Sequence, residues 1–452
     1  MKSMGCGVWT GFLSNRLTGW MSIARNMGMW IAWSLLIAVL TIGTSRSLLH
    51  ATLAAMVLVV AIGIAVARSQ PRKLVAVMAL GWMLRITLLA FFTVQSHLSG
   101  TGDYYLRSAD AAGYHLFAKW VLEADSWVPL NRAYSYSYIV AALYKVFGPD
   151  PNVANILNIG ISLVIVPYIY ELGRQCGGSR AGLLAATAYV MYPSMILWSV
   201  STLKDVWIVL ALVIFAKSTA SMSRGQSHPQ DFIGLIVSCS LLAFLRYQYV
   251  LILPVGLLLS IVLCRNRHGR SLFPRVMAAS IMILIVSVSA IGTMATGLAT
   301  KSLEDEYWLD LQRGALEGGS GISALAGVPA KYRWMAQLPF VILAPFPWQW
   351  ITTSSGINRL SGLETAIMYV CYYVIVARRK HWVRNVSSTA TVACALAVFA
   401  AVSLSVPNVG TMYRYRLAGN ILILPVAIAE LVRWKGKKPY RDGSSDLSNP
   451  SG

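Results

Sequence analysis

Residues 49–73 read LHATLAAMVLVVAIGIAVARSQPRK, an apolar run through residue 67 that ends in a cluster holding Arg68, Arg72 and Lys73. A bilayer core takes roughly 20 apolar residues as a helix, because every backbone polar group must be satisfied inside the segment once water is gone. The run has about that length. The basic cluster behind it has the character of a loop held on the cytoplasmic side by its charge.

The same alternation continues in both directions. About twelve candidate spans lie near 27–43, 49–67, 74–95, 153–172, 181–199, 205–218, 232–247, 249–264, 276–297, 361–377, 387–405 and 417–433. Further basic clusters fall at Arg174–Arg180, Lys217–Arg224, Arg265–Arg275, Arg378–Arg384 and Arg433–Arg441. With twelve spans these loops share one side with Lys2, Arg16 and Arg25, so both termini are expected in the cytoplasm. Composition agrees. Of 452 residues 56% are hydrophobic and only 12% charged, too little charged surface for a soluble chain of this length. The net charge of +21 is spread over short inter-span loops, which argues against a nucleic-acid partner. Six cysteines show no metal-ligand spacing and read as small core residues. The N-terminus lacks the pattern of a cleavable signal peptide and is read as retained.

The expected fold is therefore an all-α polytopic membrane protein, with about twelve transmembrane helices and juxtamembrane helices in two large external loops. Residues 1–73 make a cytoplasmic N-terminus with two accessory spans. Residues 74–433 make the core, with external loops 96–152 and 298–360, and 434–452 form a basic cytoplasmic tail of disordered composition. The short apolar pieces 136–147 (YSYIVAALYKVF) and 338–350 (LPFVILAPFPWQW) suit helices lying at the interface.

The external pieces carry the chemistry-bearing side chains. In the first loop, GDYYLRSADAAGYHLFAKW (102–120) holds Asp103, Arg107, Asp110, Tyr114 and His115. A helix over 108–121 puts Asp110 and Tyr114 on one face. Asp110 then reads either as a helix-start carboxylate or as a general base beside the membrane. Lys204 and Asp205 stand at an external helix end, where snorkelling to water is the simpler reading. Arg246 stands at another. In PNVGTMYRYRLAGN (407–420), an extended backbone would send Arg414 and Arg416 to one side and Tyr413 and Tyr415 to the other. Two guanidinium forks on one face suit a phosphate, whether a substrate's or a lipid headgroup's. Arg85 falls mid-span, where a charge is costly and needs a partner. Glu304, Asp305, Glu306 and Asp310 read as a solvated face rather than a metal site.

The order of these elements resembles the GT-C superfamily of membrane glycosyltransferases, which use polyprenyl-phosphate sugars and include protein mannosyltransferases and aminoarabinose transferases. Asp110-Ala-Ala-Gly-Tyr114 resembles the first-loop acidic motif, and Tyr134–Gly148 the juxtamembrane helix. The run Asn155–Asp205, with Tyr192-Pro193 before the acid, follows the family pattern, and Arg414-Tyr415-Arg416-Leu417 resembles the arginine motif before the last helix. The resemblance spans about 74–433. It implies sugar transfer from a polyprenyl-phosphate donor to a saccharide, lipid or protein acceptor on the external face of a bacterial inner membrane, in envelope glycan or polysaccharide synthesis. By position Asp110 is the base for the acceptor, and Asp205 helps bind the donor phosphate, often through a divalent cation such as Mg²⁺ or Mn²⁺. Lys204, Arg246, Arg414 and Arg416 hold the phosphate, and Asp103, Tyr114, His115, Tyr413 and Tyr415 line the substrates. Two departures stand out: Ala109 replaces one of the usual pair of acids, and Lys204 beside Asp205 disfavours a metal. The arginines and Lys204 are expected to replace that metal. The rival readings are a flippase for a lipid-linked saccharide, which would need related halves and mid-plane charges, and a polysaccharide polymerase or ligase.

Overall fold

The computed structural model describes residues 46–99, 109–124, 134–225, 228–264, 328–348, 356–405 and 409–435. The candidate spans 27–43 and 276–297, Asp103, Arg107 and the acidic run at 304–310 lie outside the described residues. Among the described residues the protein is helical, and six helices are long and apolar enough to cross a membrane. It is an all-α polytopic membrane protein.

Those six are α2 (Arg72–Leu98), α5 (Pro151–Val190), α7 (Asp205–Ser223), the first arm of α8 (Pro229–Cys264), α12 (Val386–Ser405) and α14 (Leu417–Lys435); α1 (Arg46–Ala67) and α10 (Gly356–Ala377) carry shorter apolar stretches. Shorter helices join them: α3 (Ala109–Glu123), α4 (Ser135–Phe147), α6 (Pro193–Ser199), α9 (Ala330–Leu343), α11 (Arg379–Trp382) and α13 (Val409–Tyr415).

Two of these elements are hairpins. Helix α5 is interrupted at Gly177 and at Gly178, whose φ of +83° only glycine adopts without strain, so the chain doubles back. The two arms cross closely: a Cβ on Gly182 would lie 2.5 Å from the Tyr170 carbonyl oxygen, and one on Gly173 2.9 Å from the Gly182 Cα. Small residues at such crossings let backbones approach where lipid supplies no hydrophobic drive. Helix α8 breaks at Arg246. Its first arm meets α7 through Lys217–Asp231 (2.6 Å), and its second arm returns to the same end through Ser223–Ser260 (3.4 Å). Arg246 is thus the apex of a hairpin.

The span read as 181–199 is shorter than expected. Pro193 disfavours helical backbone at Tyr192, whose ψ is 117°, so the arm ends at Val190 and α6 starts afresh. Arg85 serves this break. Its Nη1 donates to the Gly81 and Val190 carbonyls at 3.2 Å each, and among the described residues it has no carboxylate partner. A mid-span guanidinium here satisfies the Val190 carbonyl where the α5 arm ends.

The basic segments gather at one end of the bundle. The Asn385 amide lies 3.4 Å from the Gln175 and Cys176 carbonyls, Arg433 bonds Glu430 and the Cys176 carbonyl, and Arg378 lies 3.8 Å from Glu430. Ser69, Gln70, Glu171 and Lys217 line one cavity there. The opposite end holds α3, α4, the start of α7, the α8 apex and α13.

Candidate functional site at the end away from the basic loops

Asp150 caps α5 by accepting from the Asn152 amide at 2.9 Å, with Pro151 in the first turn. From the first α5 arm two buried asparagines then fix the loop before α7. Asn158 Nδ2 donates to the Ser201 and Leu203 carbonyls (2.7 and 3.0 Å), and its Oδ1 accepts from Tyr136 and Trp207 (3.0 and 2.9 Å). Asn155 accepts from Thr202 at 2.9 Å. A fully bonded buried amide gives one geometry, and here that geometry sets where Lys204 and Asp205 begin α7.

Helix α3 packs on α4 through aromatic faces, with Phe117 stacked on Tyr134 at 4.8 Å and Tyr114 edge-on to Tyr136 at 5.4 Å. That docking leaves Asp110, in the first turn of α3, facing the α7 start. Helix α13 delivers Arg414 between the two acids. Arg414 Nε donates to Asp205 Oδ2 at 2.8 Å, and Nη1 pairs with Asp110. The two carboxylates differ sharply: the Asp205 side chain is 5% exposed and that of Asp110 57%. Arg246 Nη2 lies 3.8 Å from Asp205 Oδ1, and its guanidinium covers the Tyr415 ring at 3.1 Å. The Lys204 ammonium stands 5.6 Å from the centre of the Tyr114 ring. Residues expected as separate loop features therefore meet: Asp110, Tyr114, Lys204, Asp205, Arg246, Arg414 and Tyr415.

Three parts of the expected arrangement are corrected. Residues 409–415 are helical, not extended, so alternation does not apply. Arg416 accordingly leaves the cluster: its Nη1 donates to the Val341 and Ile342 carbonyls (3.2 Å each) at the end of α9, and Nη2 to Thr365 Oγ1 at 3.0 Å. A cation at a helix C-terminus is favoured by the helix dipole. Tyr413 goes the same way, its ring 4.9 Å from the Arg416 guanidinium and its hydroxyl 3.0 Å from Ser194 Oγ. His115 turns to α4, with Nδ1 2.8 Å from the Tyr144 hydroxyl. Neither Arg416, Tyr413 nor His115 touches Asp110 or Asp205.

The sequence reading passed over Glu364. This buried carboxylate accepts from the Ser194 amide at 3.0 Å and from the Ser194 hydroxyl, which also meets Tyr413. Glu364 and Thr365 together brace both flanks of Arg414. The signal was available, since an acid in a candidate span is costly and seldom idle.

Electrostatics distinguish the members. Burial, then Arg246, pulls the Lys204 ammonium down to about 8, against the opposing pull of Asp205. Burial also opposes charge on Arg414, but Asp205 and Asp110 outweigh it and hold the guanidinium above its ordinary value. Burial and then Asp205 raise the Tyr114 phenol. Among the described residues Arg414 Nη2 and Arg246 Nη1 are buried with no hydrogen-bond acceptor. Buried guanidinium donors are costly to leave unpaired, so the cluster is incomplete as an anion site. A divalent cation fits less well. Asp205 faces a guanidinium with each of its oxygens and Asp110 is paired to Arg414; among the described residues no three His, Cys, Asp or Glu side chains gather as ligands.

With this geometry in view, comparison with known proteins is informative. Residues 131–291 match the model of the dolichyl-phosphate-mannose-protein mannosyltransferase family. No curated protein and no solved structure matches the chain. The matched segment begins just before α4 and runs past the end of α8, so it covers the asparagine brace, Lys204, Asp205 and Arg246. It supports a membrane glycosyltransferase of the GT-C type, as the order of motifs implied. Asp110 and Arg414 lie outside the matched segment.

Proposed function

We propose that this protein transfers a sugar from a polyprenyl-phosphate donor to an acceptor on the non-cytoplasmic face of a bacterial inner membrane, in synthesis of an envelope glycan. The observation that carries this reading is the meeting of Asp110, Lys204, Asp205, Arg246 and Arg414 at the end of the bundle away from the basic loops. Under the positive-inside rule those loops are cytoplasmic, as are both termini, which puts the site at the outer leaflet. There a lipid-linked donor presents its phosphate while its chain stays in the bilayer. Membrane lipids and the donor are the partners that this placement supports.

In the reaction the acceptor hydroxyl gives its proton to Asp110, and its oxygen forms a bond to the anomeric carbon. The bond from that carbon to the phosphate oxygen breaks, and the electron pair leaves with the phosphate. Arg246, Arg414 and Lys204 stabilise this growing charge in a partly desolvated site, where fixed donors act strongly. They do so in place of a divalent cation. Tyr114 and Tyr415 carry the cations, Lys204 over one ring and Arg246 over the other, and so help place them for the phosphate. The test is transfer of labelled sugar from a defined polyprenyl-phosphate sugar by the purified protein. Asp110→Asn should abolish turnover and keep donor binding. A flippase would move the lipid-linked sugar with Asp110→Asn intact, and that outcome would remove the transferase reading.

A further inference from the structure

We infer that Arg414 masks Asp110 until the anionic donor takes over the guanidinium, so that donor binding frees the base. The inference rests on the transferase reading above and concerns how its site is regulated. Arg414 serves two acids at once, with Nε on Asp205 at 2.8 Å and Nη1 on Asp110. Arg414 occupies Oδ2 of Asp110, and that oxygen cannot accept a hydroxyl proton along that direction while the pair stands. Nor does the buried space beside Asp205 and Arg414 admit a phosphate. The cavity bounded by Asp205, Arg246, Tyr249, Arg414 and Tyr415 holds about 10 Å³, space for about one water. An entering phosphate must displace the Arg414 side chain from one of its two partners.

The two partners are not equally easy to leave. Asp205 is buried, and stripping a buried acid of its cation is strongly unfavourable. Asp110 is more than half exposed, and water replaces a partner there at little cost. The guanidinium therefore gives up Asp110 and keeps Asp205. Arg246, 3.8 Å from the other Asp205 oxygen, holds the buried acid steady during the exchange. The donors left unpaired, Arg414 Nη2 and Arg246 Nη1, then find the phosphate oxygens they lack. Glu364 and Thr365 keep Tyr413 and Arg416 fixed on either side, so the side chain of Arg414 moves while its backbone stays. Arg414 is in this sense a positioning residue for the base as well as a phosphate ligand.

The test is carboxylate labelling of the full-length protein in detergent with a water-soluble carbodiimide and an amine. Labelling of Asp110 is read by mass spectrometry as a ratio to Glu123, an exposed acid on the same helix α3, which corrects for reagent consumed by phosphate. A polyprenyl monophosphate should raise the ratio about threefold or more, and the neutral polyprenol of equal length should not. Arg414→Ala should show the high ratio without any lipid. The unmodified protein decides alone should that variant fail to fold. A ratio that stays flat or falls while the monophosphate binds, as followed by ligand retention on the protein, overturns the masking. Failure of the monophosphate to bind at all removes the donor site, and with it both this inference and the transferase reading.

Discussion

Two clusters of similar make-up stand at opposite ends of the bundle, each a buried carboxylate between two guanidiniums. At one end Asp205 lies between Arg414 and Arg246, and at the other Glu430 lies between Arg433 and Arg378. What surrounds them differs. Arg433 spends a second donor on the Cys176 carbonyl at the α5 turn, so the Glu430 cluster ties α14 to the hairpin. Its loosest contact, Arg378 to Glu430 at 3.8 Å, still points inward. At the Asp205 end an exposed acid, Asp110, and an amine with its pKa lowered to about 8, Lys204, join the group, and two guanidinium donors face no acceptor among the described residues. Unpartnered buried atoms occur at both ends, Arg378 Nε and Glu430 Oε2 at one and Arg414 Nη2 and Arg246 Nη1 at the other, so the difference lies in the exposed acid and the amine that join the Asp205 end. Buried ion pairs alone are weak evidence of function. An exposed carboxylate and an amine gathered on the same pair are stronger evidence.

The sharpest way to break this contrast is to remove one acid from each end. Asp110→Asn should lower turnover by about 10²–10⁴-fold, the usual worth of a general base, with donor affinity nearly unchanged. Glu430→Ala should do the reverse. It leaves two cations without their buried partner and should cost about 3–5 kcal/mol of stability, seen as earlier thermal unfolding, while the folded fraction turns over normally. Equal loss of turnover in both variants would mean that the two ends are not functionally distinct. A smaller effect separates the arginines. Arg414→Ala removes hydrogen bonds to a charged group worth roughly 2 kcal/mol, so affinity for a polyprenyl monophosphate should fall about thirtyfold, and Arg433→Ala should leave that affinity alone. Isothermal titration in detergent reads both. The contrast also bears on metal dependence: with guanidiniums in the cation's place, excess chelator should not change the rate. Loss of activity on chelation, restored by Mg²⁺ or Mn²⁺, would show that the acids bind metal after all.

Much of the scaffold was legible because the bilayer imposes a length on apolar runs and charge sorts the loops. Helices α3 and α4 fell where their patterns put them, and the pairing of Asp110 with Tyr114 on one face followed from helical spacing. The meeting of Arg414 with Asp205, 209 positions apart, was implied only by the family resemblance, since no local pattern reports which helix ends become neighbours. Alternation misled at 413–416 because a seven-residue helix precedes α14, and it sends Arg416 to cap α9 instead. Glu364 and Glu430 were passed over inside apolar runs, although a carboxylate there needs a partner and so marks a network. Asn155 and Asn158 gave no signal, because an asparagine in a span has many possible partners until the fold chooses one.

The smallest expected effect also bears on the difference between the two clusters, because burial and Arg246 bring the Lys204 ammonium at the Asp205 end near physiological pH. Lys204 has its pKa lowered from 10.5 to about 8, by burial first and Arg246 second. Below pH 8 it adds a third cation for the donor phosphate, and above pH 8 it does not. Donor affinity should therefore fall about threefold to tenfold as pH rises through 8, the scale of one partly exposed charge pair. The effect on folding has the opposite sign. Between 8 and 10.5 the unfolded chain binds the proton that the folded one has released, so stability from this group rises with pH. Lys204→Arg keeps a cation that does not titrate in this range and should flatten the affinity step without removing binding. Titrations at pH 7 and pH 9 with a polyprenyl phosphodiester, whose own charge is constant there, isolate the lysine. An unchanged step in Lys204→Arg would assign the titration to another group and leave Lys204 as a helix-start residue packed on Tyr114.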